Sequence, residues 1–306
     1  MDITAISNQM IVLFLLLLVG YAANKLGRMD AAFNKAFSGF IINVTTPALI
    51  LHSVMEGEKV LGIWEILLLL AASLVSYALV ILLAMGIPRL MGMGRRDGDT
   101  FRLMIVFSNT AFMGFPVVAA LMGTEALFYA AIFNMPFNFL LYTYGIHLLS
   151  GGSSTKGFDR RTLLSPCVIA AALALVLYLS PVKVPSLIVT TLSYLAGITI
   201  PGAMLILGST LALIPLRSVF LDWRIYALSL LKLVLIPILV WAIVRLIPIP
   251  EMIGKMTVVM WSLPVATNCT MLATQYGGDE ALSSKGVLIT TLLSVATVPI
   301  LMRILY

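Results

Sequence analysis

Phe107-Ser108-Asn109-Thr110-Ala111-Phe112-Met113-Gly114-Phe115-Pro116 and Ser262-Leu263-Pro264-Val265-Ala266-Thr267-Asn268-Cys269-Thr270 decide how this chain folds. Each sits within an apolar run long enough to cross a bilayer, yet each carries proline and small polar residues in mid-run. Proline removes an amide donor and clashes with the preceding turn, and Asn and Thr side chains offer the backbone bonds that compete with a helix. A helix broken at mid-span is therefore expected twice. In lipid such a break survives only where protein buries it or where it lines a wet cavity. Corresponding breaks in two halves of a chain are the strongest sequence pointer to a transport site.

The surrounding residues set the class. Of 306 residues, 61% are hydrophobic and 10% charged, and mean hydropathy is +1.08, whereas a soluble domain carries about a quarter of its residues charged. Apolar runs bounded by charges, Gly or Pro give ten segments: 7–24, 32–55, 62–86, 101–121, 126–149, 163–180, 187–213, 223–246, 255–275 and 282–304. None shows the period-two alternation of a barrel strand, so all are expected as helices of an all-α, multi-pass membrane protein. Asp2 stands where a cleavable signal would carry Lys or Arg, which makes the first run a span rather than a leader. Cys167 and Cys269 both lie in apolar stretches and form neither a disulfide framework nor a metal cluster, and no pattern calls for a cofactor.

With alternate loops assigned to one side, 13 Lys and Arg residues fall on that side and 5 on the other, and Lys232 alone lies inside a span. The positive-inside rule then puts both termini outside a cell (inner or plasma) membrane, with the richest cytoplasmic loops near 87–102 and 150–162. The formal charge of +6 is thus a matter of topology. A nucleic-acid partner would need basic residues gathered on one face. Trp64, Trp223 and Trp261 fall near the expected interfaces, as do His52 and His147.

The linker-like stretch Ser150-Gly151-Gly152-Ser153-Ser154 opens a loop at 150–162 that parts 1–149 from 163–306, five spans from five. Because five is odd, homologous halves would be inserted in opposite senses, as an inverted repeat. Gly123-Thr124-Glu125-Ala126-Leu127 and Gly278-Asp279-Glu280-Ala281-Leu282 lie 155 apart, an offset the two breaks share. Thr46-Pro47-Ala48-Leu49 and Ile200-Pro201-Gly202-Ala203-Met204 lie 154 apart.

Where a broken helix resumes, unpaired amides and a partial positive charge make a ready site for a carboxylate. Asn109, Thr110, Gly114 and Pro116 would build one such end, and Pro264, Thr267, Asn268 and Thr270 the other. No arginine lies near the middle of any span, so the helix ends would hold the anion themselves. Asn134 and Asn138, four apart in the fifth span, share a helix face that Tyr142 continues. Thr290, Thr291 and Ser294 add polar groups in the tenth span, where the alternative is a bond to their own helix backbone. Lys232 lies about 13 Å along an ideal helix from the end of the eighth span. It is a candidate for substrate binding or coupling, with snorkelling to the interface as the alternative.

Asn43-Val44-Thr45-Thr46-Pro47-Ala48-Leu49, Ser108-Asn109-Thr110-Ala111-Phe112-Met113-Gly114-Phe115-Pro116 and Ser262-Leu263-Pro264 resemble the auxin efflux carrier family in its bacterial branch, among malate or malonate permeases. The resemblance covers the whole chain. It implies a secondary transporter of organic anions with an inverted five-plus-five fold in which helices 4 and 9 unwind and cross. It also implies a homodimer, with spans 1, 2, 6 and 7 as scaffold and spans 3 to 5 and 8 to 10 as a moving transport unit. On the scaffold side it points to Asn43, Thr46, Pro47 and Pro201. Plant members carry a second proline in the ninth span where this chain has Asn268 or Cys269, so plant-type auxin recognition does not transfer.

No nucleotide-binding loop is present, which leaves an ion gradient or the substrate gradient as the driving force. Sodium coupling, proton coupling and uniport stay open, as do a bile-acid-type symporter of the same fold and a receptor that does not transport. An intramembrane hydrolase would need a nucleophile with a base or a metal cluster in mid-span, and a channel would need a ring of charges or carbonyls. Neither constellation is in the sequence.

Overall fold

The computed structural model describes residues 3–56, 62–151, 166–180, 184–213 and 222–306, with backbone alone at 3–10, 56, 111 and 138. The described residues form helices and no strand: α1 (Ile3–Lys25), α2 (Ala31–Met55), α3 (Ile63–Leu90), α4 (Arg95–Val106), α5 (Phe115–Met122), α6 (Thr124–Leu149), α7 (Pro166–Leu179), α8 (Ser186–Ala212), α9 (Trp223–Leu246), α10 (Glu251–Trp261), α11 (Thr267–Tyr276) and α12 (Glu280–Leu305). By length and composition α2, α3, α6, α8, α9 and α12 can each cross a membrane. The runs expected as fourth and ninth spans are each two shorter helices, α4 with α5 and α10 with α11, parted by extended residues. Most of the central loop read at 150–162 lies outside the described residues.

Proline shapes the helices in a repeated way. Wide π-turns at Ile41–Thr45, Thr110–Gly114 and Leu231–Leu235 each end two residues before a proline, at Pro47, Pro116 and Pro237. A proline has no amide for the carbonyl four residues back, and its ring pushes that carbonyl away. Widening the turn to i→i+5 bonds lets the helix continue past it: Thr46 donates to Ile41 O and Ile236 to Leu231 O. A fourth π-turn, Leu141–Gly145, has no proline at that position.

The elements group into two compact units. The first comprises Met1–Leu67, Ala111–Phe133 and Leu163–Leu213; the second comprises Leu68–Thr110, Asn134–Thr162 and Ile214–Tyr306. Each draws on both halves of the sequence. The resemblance assigns the whole of the fourth and fifth spans to one unit, whereas the observed boundaries fall inside both, at Thr110 and Phe133. The boundary at Thr110 falls where helical bonding, interrupted after Val106, resumes.

Within the first unit, α1 and α8 meet backbone to backbone. A methyl group on Gly20 would strike the Leu205 carbonyl, and one on Gly208 the Leu17 carbonyl. Small residues that allow such close approach are how helices associate where lipid is as apolar as leucine. Asn24 Nδ2 donates to Met29 O at 2.7 Å and Ser209 Oγ at 3.2 Å. Lys25 Nζ donates to Ala212 O at 2.8 Å, a cation at the carboxyl end of α8.

Within the second unit, polar contacts join the start of α4 to the starts of α9 and α12. Arg224 reaches Asp97 and Asp222, each at 2.7 Å, and its hydrogen bonds hold the Asp222 carboxyl below the usual carboxylate range. Arg96 donates to Gly278 O, and the Asp279 amide donates to Thr100 Oγ1 at 2.8 Å. Asp279 Oδ1 in turn caps α12 by accepting from Leu282 N–H at 2.9 Å. Positive-φ glycines follow both α5 and α11, Gly123 (φ 89°) and Gly277 (φ 82°), and only Gly277 takes the left-handed helical conformation. Large apolar side chains such as Leu90, Leu187 and Leu246 remain more than four-fifths exposed, as a lipid-facing surface requires.

Candidate functional site

The second unit holds both breaks of the chain up to Thr110. Phe107 to Asn109 and Pro264 to Ala266 are extended, and the two segments pair antiparallel with Ser108 opposite Val265. Asn109 N–H donates to Pro264 O at 2.7 Å, and Ala266 N–H donates to Phe107 O at 3.0 Å. Each break supplies partners for backbone groups that lost theirs when the other helix stopped, which is what makes two interruptions tolerable in an apolar interior. The sequence reading had the breaks; their direct pairing runs through backbone atoms that no side chain advertises.

Thr290 completes the pairing. Its Oγ1 accepts from Val265 N–H at 3.1 Å and donates to Gly286 O at 2.7 Å, and the residue is fully buried. Of the two readings open for Thr290, site lining and a bond to its own helix, the structure shows the second plus a bond across to the break. Thr290→Val keeps the shape but strands the Val265 amide. The expected cost is about 1–3 kcal/mol of stability, seen as a lower unfolding temperature of the purified protein; an unchanged temperature would mean the hydroxyl holds nothing.

After the second break α11 starts at Thr267, and its capping position is Ala266, whose side chain accepts no hydrogen bond. The Cys269 amide bonds to Ala266 O at 3.0 Å, while the first amides of a helix have no partner within it. Thr267, Asn268 and Thr270 are half-buried around this end, and Thr270 Oγ1 shares a 3.2 Å hydrogen bond with Ser283 Oγ. Ser108 Oγ and Thr110 Oγ1 are buried without a hydrogen-bond partner among the described residues, as is Asn134 Oδ1.

The other expected site residues are divided between the two units. Gly114 closes the π-turn and Pro116 opens α5, both in the first unit. Asn43 is exposed on the π-turn of α2, Thr46 is buried, and Pro47 and Pro201 are half-buried, all likewise in the first unit. Asn134 sits at a junction within α6, where Phe137 N–H donates to its carbonyl at 3.2 Å. The Asn138 side chain lies outside the described residues.

Lys232 does not snorkel. It has no exposed surface, and Nζ donates to Ile105 O at 2.7 Å, two residues before the first break. The ammonium lies 5.0 Å from the centroid of the Trp261 ring, within cation–π range. Ile105 and Trp261 belong to the last turns of α4 and α10, where the macrodipole is negative. One buried cation thus stands beside both half-helix carboxyl ends, lifted onto the π-turn that Pro237 imposes on α9. Among the described residues no carboxylate lies within ion-pair distance of it.

Trp261 is a correction. Read as part of an interfacial belt, it is 1% exposed, and its ring centroid lies 5.0 Å from that of Tyr77. The ninth run breaks immediately after it, so a tryptophan at a helix end is here at an internal end. Cys269 also went unread as a site neighbour; its Sγ lies 3.7 Å from Leu103 O.

The family model described as Membrane transport protein matches residues 5–302. The chain belongs to that family, the auxin efflux carriers. An uncharacterized transporter of Methanothermobacter thermautotrophicus is 26% identical over 291 residues, covering 93% of each chain. One of Methanocaldococcus jannaschii is 26% identical over 305 residues, covering 95% of this chain and 96% of its own. A Rhizobium meliloti protein named "Putative malonate transporter" is 30% identical over 201 residues, 63% of this chain and 62% of its own. These relatives are named as transporters, not enzymes, and the family is one of membrane transport.

Proposed function

We propose that this family member is a secondary active transporter of a small organic anion, a dicarboxylate such as malate or malonate or an auxin-like carboxylate. The observation that carries the reading is the backbone pairing of 107–109 with 264–266, which leads directly into the uncapped start of α11. A helix start with no side-chain cap and a helix-end charge of about half an elementary charge suit a carboxylate without a buried arginine. Asn109, Thr110, Pro264, Thr267, Asn268 and Thr270 are assigned to substrate, and Asn134 and Asn138 to the lining of the same unit. Gly114 and Pro116 set where the first broken helix resumes. Lys232 is the counter-charge or coupling group.

In this reading the ten apolar runs are ten spans in an inverted five-plus-five repeat, both termini lie outside the cell membrane, and the protein is a homodimer. The second compact unit carries the anion by elevator-type alternating access. The division of the chain into two units, each drawn from both halves of the sequence, supports that assignment. Asn43, Thr46, Pro47 and Pro201 stay with the scaffold.

Uptake of labelled malate, malonate and indole acetate into proteoliposomes tests this. At least one acid is expected to accumulate, and imposing a proton or a sodium gradient, or neither, identifies the driving force. Binding without uptake would make the protein a receptor, and neither binding nor uptake of any acid would overturn the anion reading.

A further inference from the structure

Away from the breaks, the second unit contains a cavity of about 470 Å³ where α3 ends and α4 begins. Arg89, Arg95, Arg102 and His147 line it, and among the described residues Asp99 is its one carboxylate. Arg102 Nη1 donates to Asp99 Oδ1 at 2.6 Å and Nη2 to Met85 O at 3.3 Å, while its Nε is buried without a partner among the described residues. Arg95 Nη2 donates to Gly151 O at 2.8 Å, and its Nε lies 3.7 Å from Asp99 Oδ2. Among the described residues, three guanidiniums against one carboxylate leave an excess of positive charge. The amino end of α4 adds to it, because Gly94 at the capping position has no side chain to occupy the first amides, and Gly94 and Gly98 themselves face the cavity.

We propose that this cavity binds a phosphate-bearing anion. Guanidinium forks match phosphate oxygens two at a time, and helix amino ends favour the same charge. Its depth agrees: α3 has 28 residues, about 42 Å of helix, and a bilayer with its headgroups is about 40–45 Å thick. Arg89, in the last turn of α3, therefore stands at headgroup level. Pro88, Met93 and Leu148 give the cavity an apolar wall, and Leu90 beside it is 88% exposed. A headgroup phosphate with its glycerol and the root of its chains fits that combination, and so does a free phosphomonoester from water; basic pockets at this depth take lipid headgroups. The basic stretch near 87–102, read from sequence as a mark of orientation alone, is on this inference a binding site. It is independent of the transport reading.

The test uses the full-length protein in two arms. In the first, protein extracted from bilayers of equal phosphatidylglycerol and phosphatidylcholine is examined by native mass spectrometry. In the second, delipidated protein in neutral detergent is titrated with glycerol 3-phosphate and inorganic phosphate, and its unfolding temperature followed. Preferential retention of phosphatidylglycerol identifies a lipid; a raised unfolding temperature without that preference identifies a free phosphate. In either arm Arg89→Gln with Arg95→Gln, both exposed side chains, is expected to weaken binding about tenfold or more, with unchanged unfolding temperature in phosphatidylcholine alone. If that pair unfolds, Arg89→Gln alone is read the same way. Absence of preference for the anion in both arms, or wild-type binding by the folded variant, overturns the proposal.

Discussion

Lys232→Met is expected to lower anion uptake by about tenfold to a hundredfold while leaving the protein folded. Two opposing terms keep the stability change small. The Ile105 carbonyl loses its partner, at about 1–3 kcal/mol, but a fully buried charge is removed at the same time, and burying an unpaired charge is itself costly. Transport has no such cancellation. A unit charge at roughly 10 Å from a bound anion, in an effective dielectric of about 20, contributes about 1.7 kcal/mol, more than a tenfold change in affinity. Lys232→Gln separates the two roles, because an amide can still donate to Ile105 but carries no charge. If Gln behaves like Met, the charge matters; if Gln behaves like the natural residue, Lys232 serves to cap α4. An unaltered uptake rate and pH profile in Lys232→Met would remove the residue from transport altogether.

What the residues disclose about this fold is uneven, for physical reasons. The all-helical class and the two breaks follow from residue type, since lipid forbids unpaired backbone and proline with small polar neighbours disfavours the regular helix. The π-turns are only partly legible: Pro47, Pro116 and Pro237 each follow one at the same distance, whereas Pro88, Pro201 and Pro299 sit in helices without one and Leu141–Gly145 forms without a proline at that position. The pairing partner is different. Val265 carries no polar side chain, and its bonds to Thr290 and its place opposite Ser108 are backbone events. Thr290 and Thr291 look alike in sequence, yet one holds the break and the other has a hydroxyl without a partner among the described residues. Trp261 misled for a related reason. The helix end it occupies, the close of α10, is the internal one at the break. Arg89, Arg95 and Arg102 were assigned a side of the membrane, but only tertiary structure brings them round one cavity.

Asn109→Ala together with Asn268→Ala tests whether the paired breaks form the substrate site. Asn109 contributes its amide to the backbone pairing, a bond to Pro264 O that alanine preserves, so the pairing itself survives the change. Asn268 lies half-buried in the first turn of α11, where its side chain can meet an anion drawn to the helix end. Two lost hydrogen bonds of about 0.5–1.5 kcal/mol each correspond to about a tenfold to hundredfold weaker affinity. Thr290→Val is the informative contrast, because it disturbs the geometry of the break without removing a proposed substrate contact. If the asparagine pair loses affinity at an unchanged unfolding temperature, while Thr290→Val loses stability, ligand and scaffold roles separate at the paired breaks. Wild-type affinity in the folded double variant would place the anion elsewhere. The paired breaks would then serve only to let two interrupted helices satisfy each other inside lipid.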